Sequence, residues 1–201
     1  MAKRPLIYCR ALVIAHGASE QIIARYIKSR LKLPLEISSR DNGRHSIQIN
    51  GLVDWLNKQF PTREKFIEEY YNVEFDNGSP VNFVVFPIMD TDDCKPASLA
   101  NDYRDKSLFA EHWLNPYINP IYNTPSLDDI MVKAEIFTRK PLNNEKTKFY
   151  NSIFPIDTKG SAANGKKDIE KFRDKVKQVR DTNLAEFVDY CLSWAENNKV
   201  K

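Results

Sequence analysis

The sequence lacks the features that identify several common protein classes. Only three of its 201 residues are cysteines, Cys9, Cys94 and Cys191, and they form neither a CxxC pair nor a set spaced like metal ligands. Such scattered thiols are typical of a reducing compartment, so we expect a cytoplasmic protein. No apolar run approaches the ~18 residues of a membrane span, and the first residues are too polar for a signal peptide, so we expect no membrane association.

Glycine is scarce as well, with six residues against eleven prolines, which predicts defined turns rather than flexible linkers. The chain has neither a P-loop nor a glycine-rich dinucleotide motif. The sequence therefore neither supports nor excludes a third function, that of a small-molecule phosphatase or a nucleotide-binding protein. The net charge of +3 decides nothing about partners, whereas 42% apolar and 28% charged residues are typical of a soluble globular protein.

Two apolar runs predict buried strands of a parallel sheet. Residues 12–15 and 81–89 show no polar alternation, which is typical of strands covered on both faces. Helical spacing over 19–33 and a short strand over 35–38 complete a βαβ unit at the start of the chain. We predict a further strand over 118–122, and because Pro120 has no N–H to donate, we expect either an edge position or a break in this strand.

Helical spacing also predicts a helix over 107–114 and two amphipathic helices over 168–180 and 184–194, with a small polar loop over 159–167 between the α/β part and these helices. The character of the chain changes near residue 140. We therefore predict an α/β domain over residues 1–140 and a C-terminal helical extension over residues 141–201 that packs on the same domain.

Functional side chains follow both buried strands. The first strand ends in His16, Gly17 and Glu20, and the second in Asp90, Asp92 and Asp93. Ligands of open parallel sheets bind beyond the carboxyl ends of the strands. Two carboxylates about 4 Å apart repel by roughly 4 kcal/mol at an effective dielectric of 20, so this acidic cluster predicts a bound Mg²⁺ or Mn²⁺. The alternative is that Asp92 or Asp93 caps a turn and faces solvent.

Three short motifs give the chain a resemblance to a known family. HGASE at 16–20, DTDD at 90–93 and YNTPSLDD at 122–129 follow one another in the order of the Toprim fold, which topoisomerases, primases and OLD-type nucleases share. The RloB-like phage-defence proteins are the most similar group, over most of residues 7–131. The resemblance implies a Toprim-like, mainly parallel sheet flanked by helices. It also implies a metal-dependent nuclease or phosphodiesterase, acting as an abortive-infection effector with an ATPase partner.

The same resemblance implies roles for individual residues. Catalysis falls to His16, Glu20, Asp90 and Asp92, and metal binding to Asp90, Asp92, Asp93 and Asp128. His16 stands where the Toprim pattern has its first glutamate. It can replace that group as a ligand or proton carrier, or it can be a turn residue bonded to backbone. The departure also favours an alternative function, a non-catalytic Toprim-derived module that binds nucleic acid or protein. Asp128, with Asp129 as a substitute, can equally cap a helix at Ser126.

Basic residues predict a nucleic-acid partner. Residues 166–180 contain seven basic and three acidic side chains, and a second basic spot lies in the loop after residue 39. Phosphate contacts from such patches give sequence-independent binding, whereas a solvated helix face is the ordinary alternative. The residues that we predict to bind nucleic acid are Arg40, Arg44, Lys166, Lys167 and Lys171.

Overall fold

The computed structural model describes residues 8–156 and 162–197, with the backbone alone for 162–164. In these ranges the strands, in chain order, are β1 (Ala11–Ala15), β2 (Leu35–Ser39), β3 (Phe75–Asp76), β4 (Ser79–Pro80), β5 (Val84–Asp90) and β6 (Ile121–Asn123). The helices are α1 (Ala18–Leu31), α2 (Ile49–Gln59), α3 (Arg63–Glu69), α4 (Leu99–Arg104), α5 (Leu127–Lys133), α6 (Lys146–Ile153), α7 (Ala162–Val176) and α8 (Leu184–Asn197). None of the helices in these ranges has the length and apolar character needed to cross a bilayer.

Four strands form one parallel sheet in the order β2-β1-β5-β6, and β3 and β4 form a separate small hairpin. Ala15 of β1 lies opposite Ser39 of β2 and Ile88 of β5. The carboxyl ends of all four strands therefore meet at one edge, which we call the carboxyl edge. The parallel sheet, its flanking helices and the helical C-terminal region confirm the predicted α/β class and are consistent with a Toprim-like fold.

Helices cover both faces of the sheet, which explains the unbroken apolar runs. All five residues of β1 are buried. Alternate residues of β1 belong to two hydrophobic clusters, with Val13 beside α1 and the C-terminal helices, and Leu12 and Ile14 beside α2. Because residues two apart share a face of a strand, a strand buried on both sides needs apolar residues at every position.

The C-terminal helices pack on the sheet rather than apart from it. Ile169 of α7 and Phe187 of α8 belong to the same buried cluster as Val13 and Phe86. Phe86 of β5 contacts Phe187 and Tyr190, with ring centroids 5.3 and 5.1 Å apart. The packing follows the predicted arrangement, and the division at residue 140 stays a prediction.

The outer edge of β6 is covered by residues 181–183. Asn123 forms an antiparallel bridge with Thr182, and the Tyr122 amide donates to Oδ1 of Asn183 at 2.9 Å. The Thr182 hydroxyl in turn donates to the Tyr122 carbonyl at 2.8 Å. The predicted position of this strand at the end of the sheet is confirmed.

Two predicted segments were wrong. Residues 107–114 form only a short 3-10 turn at Ser107–Phe109, and the helix of this region is α4, which comes before it. Lys106, with φ 73°, interrupts the helical path between them. Of the predicted loop over 159–167, residues 159–161 lie outside the described ranges, whereas α7 begins at Ala162. A Cβ at Gly165 would lie 3.2 Å from Cδ of Arg30, so this glycine lets α7 approach α1 closely.

Candidate active site

Two buried carboxylates occupy the centre of the carboxyl edge. Asp90, the last residue of β5, is only 5% exposed, and Glu20, in the first turn of α1, is 3% exposed. Oδ1 of Asp90 accepts hydrogen bonds from the Leu127 amide at 2.8 Å and from Nδ2 of Asn123 at 3.2 Å. The end of β5, the end of β6 and the start of α5 therefore hold this carboxylate together.

The start of α1 fixes Glu20 in the same place. Gly17 is the residue before the helix, and its amide donates to Oε2 of Glu20 at 2.8 Å. This is the return half of a capping box, which satisfies an amide that the helix itself leaves unpaired. Burial, and after it the charge of Glu20, raises the pKa of Asp90 well above its usual value. The predicted meeting of the two strand ends is confirmed for these carboxylates.

A lysine from the C-terminal region faces this pair. Nζ of Lys146 lies 2.9 Å from Oδ2 of Asp128, and the Tyr150 hydroxyl donates to Oδ1 of Asp128 at 2.7 Å. Burial alone would lower the pKa of Lys146, but the contact with Asp128 and the charges of Glu20 and Asp90 raise it. The ammonium therefore partly neutralises the site. Both oxygens of Asp128 are already engaged.

His16, Asp92 and Asp93 lie around the entrance to the pair. Burial and the charge of Asp92 raise the pKa of Asp93, and the nearby His16 opposes that shift. Asp92 is exposed, and its charge also raises the pKa of Asp90. In the described part of the chain, buried Nδ1 of His16 and Oδ1 of Asp93 have no hydrogen-bond partner. Polar atoms buried without partners are rare and call for an explanation.

The basic loop after β2 lies at the same edge. Arg40 and Arg44 are exposed, and the loop is joined to the turn after β1 by a 2.8 Å hydrogen bond from the Ile47 amide to the His16 carbonyl. Gly43, at φ 82°, lets the loop approach the start of α1, since a Cβ there would lie 3.1 Å from Cα of Ala18. Both predicted nucleic-acid-binding arginines therefore lie beside the site.

The lysines of α7 that we predicted to bind nucleic acid do not lie beside the carboxylate pair. Gly165 packs against Arg30, near the end of α1, so Lys166 and Lys167 at the start of α7 lie about 15 Å along α1 from Glu20, at 1.5 Å per helical residue. Lys171 lines a groove together with Tyr26 and Arg30, away from the start of α1. Lys166 is also paired with Glu170 and Glu196, at 3.4 and 2.6 Å. Any phosphate contact from Lys166 or Lys167 would therefore be remote from the carboxylates.

The donor set suits a hard cation that keeps most of its water. Within residues 8–156 and 162–197, no group of three or more His, Cys, Asp or Glu side chains is arranged to hold a metal ion. Mg²⁺, however, commonly binds through one or two carboxylates together with water and substrate phosphate. Glu20 and Asp90 supply two, and burial, followed by the charge of Glu20, raises the pKa of Asp90, so a bound cation would stabilise its ionised form. The pair therefore fits the predicted cation.

Comparison of the chain with protein-family models, with curated proteins and with solved structures found no match. The resemblance to Toprim proteins therefore still depends on the three motifs.

Sequence reasoning missed Lys146, Tyr150 and the role of Asn123. Lys146 and Tyr150 lie one helical turn apart on α6, as in any amphipathic helix, and no motif marks them. Asn123 directly follows the predicted strand over 118–122 and is fully buried. Its place in the motif YNTPSLDD at 122–129 was the available signal.

Proposed function

We propose that the chain is a Mg²⁺- or Mn²⁺-dependent phosphodiesterase that cleaves nucleic acid at the carboxyl edge of its sheet. The buried pair of Glu20 and Asp90 supports this proposal. Two carboxylates withdrawn from water destabilise a protein unless a cation compensates them. Lys146 supplies one positive charge, yet the pKa of Asp90 is still raised.

Each residue of the site has a role in this proposal. Glu20 and Asp90 would hold the cation, and the negative charge of exposed Asp92 would attract it to the entrance. When bound, the cation supplies a water of lowered pKa and neutralises charge on the phosphate. His16, whose Nδ1 has no partner among the described residues, would accept or deliver the proton of a reacting oxygen. Asp128 positions Lys146 and Tyr150 rather than binding the cation, because both of its oxygens are engaged.

The biological setting rests on the motif resemblance alone. It supports an effector of phage defence by abortive infection, acting in the cytoplasm with an ATPase partner.

The decisive test is cleavage of plasmid and single-stranded DNA with Mg²⁺ or Mn²⁺, and with EDTA as the blank. We expect metal-dependent cleavage that falls at least a hundredfold in Asp90→Asn. The asparagine Oδ1 can still accept from Leu127 and Asn123, so the fold is kept. Asp76→Asn, in the distant β3–β4 turn, serves as the matched control and should cleave like the wild type. Cleavage by Asp90→Asn at the wild-type rate would refute the assignment.

The second candidate is a binding module without turnover. The histidine in place of the first Toprim glutamate favours it, since that glutamate acts as a ligand or as an acid/base in the family. Its signature in the same assay would be DNA binding by both the wild type and Asp90→Asn, with no cleavage under either metal.

The lysine offers a separate measurement on the metal site. Lys146→Met removes a positive charge that repels an incoming cation, so we expect Mn²⁺ to bind about tenfold tighter, or ~1.4 kcal/mol. Lys148→Met, on the exposed side of the same helix, should leave the affinity unchanged. Titration followed by the electron spin resonance of free Mn²⁺ reports both values. Equal or weaker affinity in Lys146→Met would show that the lysine does not face the metal site.

A further inference from the structure

One arginine at the carboxyl edge is held in place without a carboxylate partner. The Arg104 guanidinium lies over the Tyr122 ring, 4.7 Å from its centroid, and Nη2 donates to the Thr124 hydroxyl at 2.8 Å. Nη1 makes a long contact of 3.4 Å with Oδ1 of Asn101. The side chain is thus fixed by a ring, a hydroxyl and an amide, all of them neutral.

Such an arrangement leaves the positive charge of Arg104 available to an external anion. Every ion pair in the part of the chain that the structure describes is made by other residues. Arg104 is also exposed. A guanidinium carries five N–H donors in a planar fork that matches the oxygens of a phosphate. Ordering the side chain in advance lowers the entropic cost of binding.

Arg104 lies close to the carboxylate pair. The Thr124 hydroxyl that holds it is 3.1 Å from the Thr91 hydroxyl, and Thr91 directly follows Asp90. Two hydrogen bonds and one residue therefore separate the guanidinium from Asp90. Arg40 and Arg44 follow β2 at the other end of the same edge. A polyanion laid along this edge would meet positive charge on both sides of the carboxylates.

We propose that Arg104 binds a phosphate of a single-stranded nucleic acid, one or two nucleotides from the bond that is cleaved. This inference rests on the proposed function for the identity of the substrate. It assigns the site a substrate-binding residue and a path for the strand, along the edge between the loop after β2 and the end of β6.

The test is binding of a fluorescent single-stranded oligonucleotide in EDTA, measured by anisotropy over a range of salt concentrations. We expect Arg104→Gln to weaken binding about tenfold and to reduce the magnitude of the log–log salt slope by about 0.7, the value for one lost contact to a single strand. Arg104→Lys keeps the charge and should keep the slope, with a smaller loss of affinity. Lys65→Gln, an exposed lysine on α3, is the matched control and should bind like the wild type.

The outcomes separate this inference from the proposed function. If Arg104→Gln loses oligonucleotide binding and the wild type cleaves nothing with any metal, phosphate binding by Arg104 is supported and the proposed phosphodiesterase activity is refuted. If the wild type cleaves with metal, but Arg104→Gln binds the oligonucleotide with wild-type affinity and salt slope, the proposed enzyme is supported and the role of Arg104 is refuted. Two further results would overturn the inference: no binding of the oligonucleotide by the wild type, and binding of AMP alone. If Arg104→Gln does not fold, Arg104→Met removes the same charge and should give the same loss of affinity and of salt slope.

Discussion

Asp90→Asn should stabilise the metal-free protein at neutral pH while abolishing the proposed cation site. Burial, followed by the charge of Glu20, raises the pKa of Asp90, so its ionised form costs free energy in the folded state. Asparagine keeps the shape and can keep both hydrogen bonds to Oδ1, but it carries no charge. We expect the free energy of unfolding at pH 7 to increase by about 1–2 kcal/mol, as is common when a strained functional group is removed.

The sign of this effect depends on pH. A carboxyl group whose pKa is higher in the folded state than in the unfolded state holds its proton more tightly when folded. Below the unfolded value of 3.8 both states are protonated, and wild type and variant should be similarly stable. As the pH rises through the folded pKa, the wild type loses stability relative to Asp90→Asn, and the difference then levels off.

Urea unfolding between pH 4 and pH 8 measures this difference, with Asp76→Asn, an exposed residue at the end of β3, as the control that should change little. Added Mg²⁺ should reverse the order, because a ligand at 100 times its Kd stabilises the folded state by about 2.7 kcal/mol and only the wild type would bind it. A variant less stable than the wild type at pH 7 without metal would contradict the strain that we assign to Asp90.

Phe86→Ala should be the most destabilising single substitution that we predict, at about 3–5 kcal/mol. Phe86 is 1% exposed and joins β5 to α8 through its edge contacts with Phe187 and Tyr190. Its removal leaves a cavity between the sheet and the C-terminal helices. Because the sheet and the C-terminal helices contribute residues to the same hydrophobic cluster, we expect the whole chain of the variant to unfold in one transition, at a lower urea concentration than the wild type.

Phe86→Leu is the matched variant, since it refills part of the cavity and should recover a large part of the loss. Far-ultraviolet circular dichroism and tryptophan fluorescence should report the same midpoint, because Trp194 lies in α8 and Trp55 in α2. Two separate transitions would show that the C-terminal helices form a unit of their own.

The sequence predicted the sheet because its strands are buried on both sides. A short apolar run that ends in a turn, as at His16-Gly17 and after Met89, is typical of a buried strand, so β1 and β5 could be placed before the structure was known. The serine at position 126 likewise predicted the start of α5, and in the structure its hydroxyl accepts a hydrogen bond from the Asp129 amide. The boundaries of β5 were less accurate. Asn82, with φ 52°, keeps residues 81–83 out of the strand.

Only part of the site could be predicted in the same way. Glu20 and Asp90 follow from strand order, since parallel strands end at one edge of a sheet. The positions of Lys146 and Arg104 could not be predicted from strand order, because each residue reaches the carboxyl edge from a helix. The position of that helix is set by its packing against the rest of the chain. Arg104 lies on α4, and the sequence predicted no helix there. A side chain whose surroundings are entirely tertiary leaves no local pattern to read.

The cover over β6 limits how copies of this chain can associate. An edge strand with free amides and carbonyls can recruit a strand from another molecule. Here Thr182 and Asn183 already occupy the backbone groups of Tyr122 and those around it. Two copies therefore cannot pair their β6 strands into one continuous sheet unless the segment before α8 first detaches from β6.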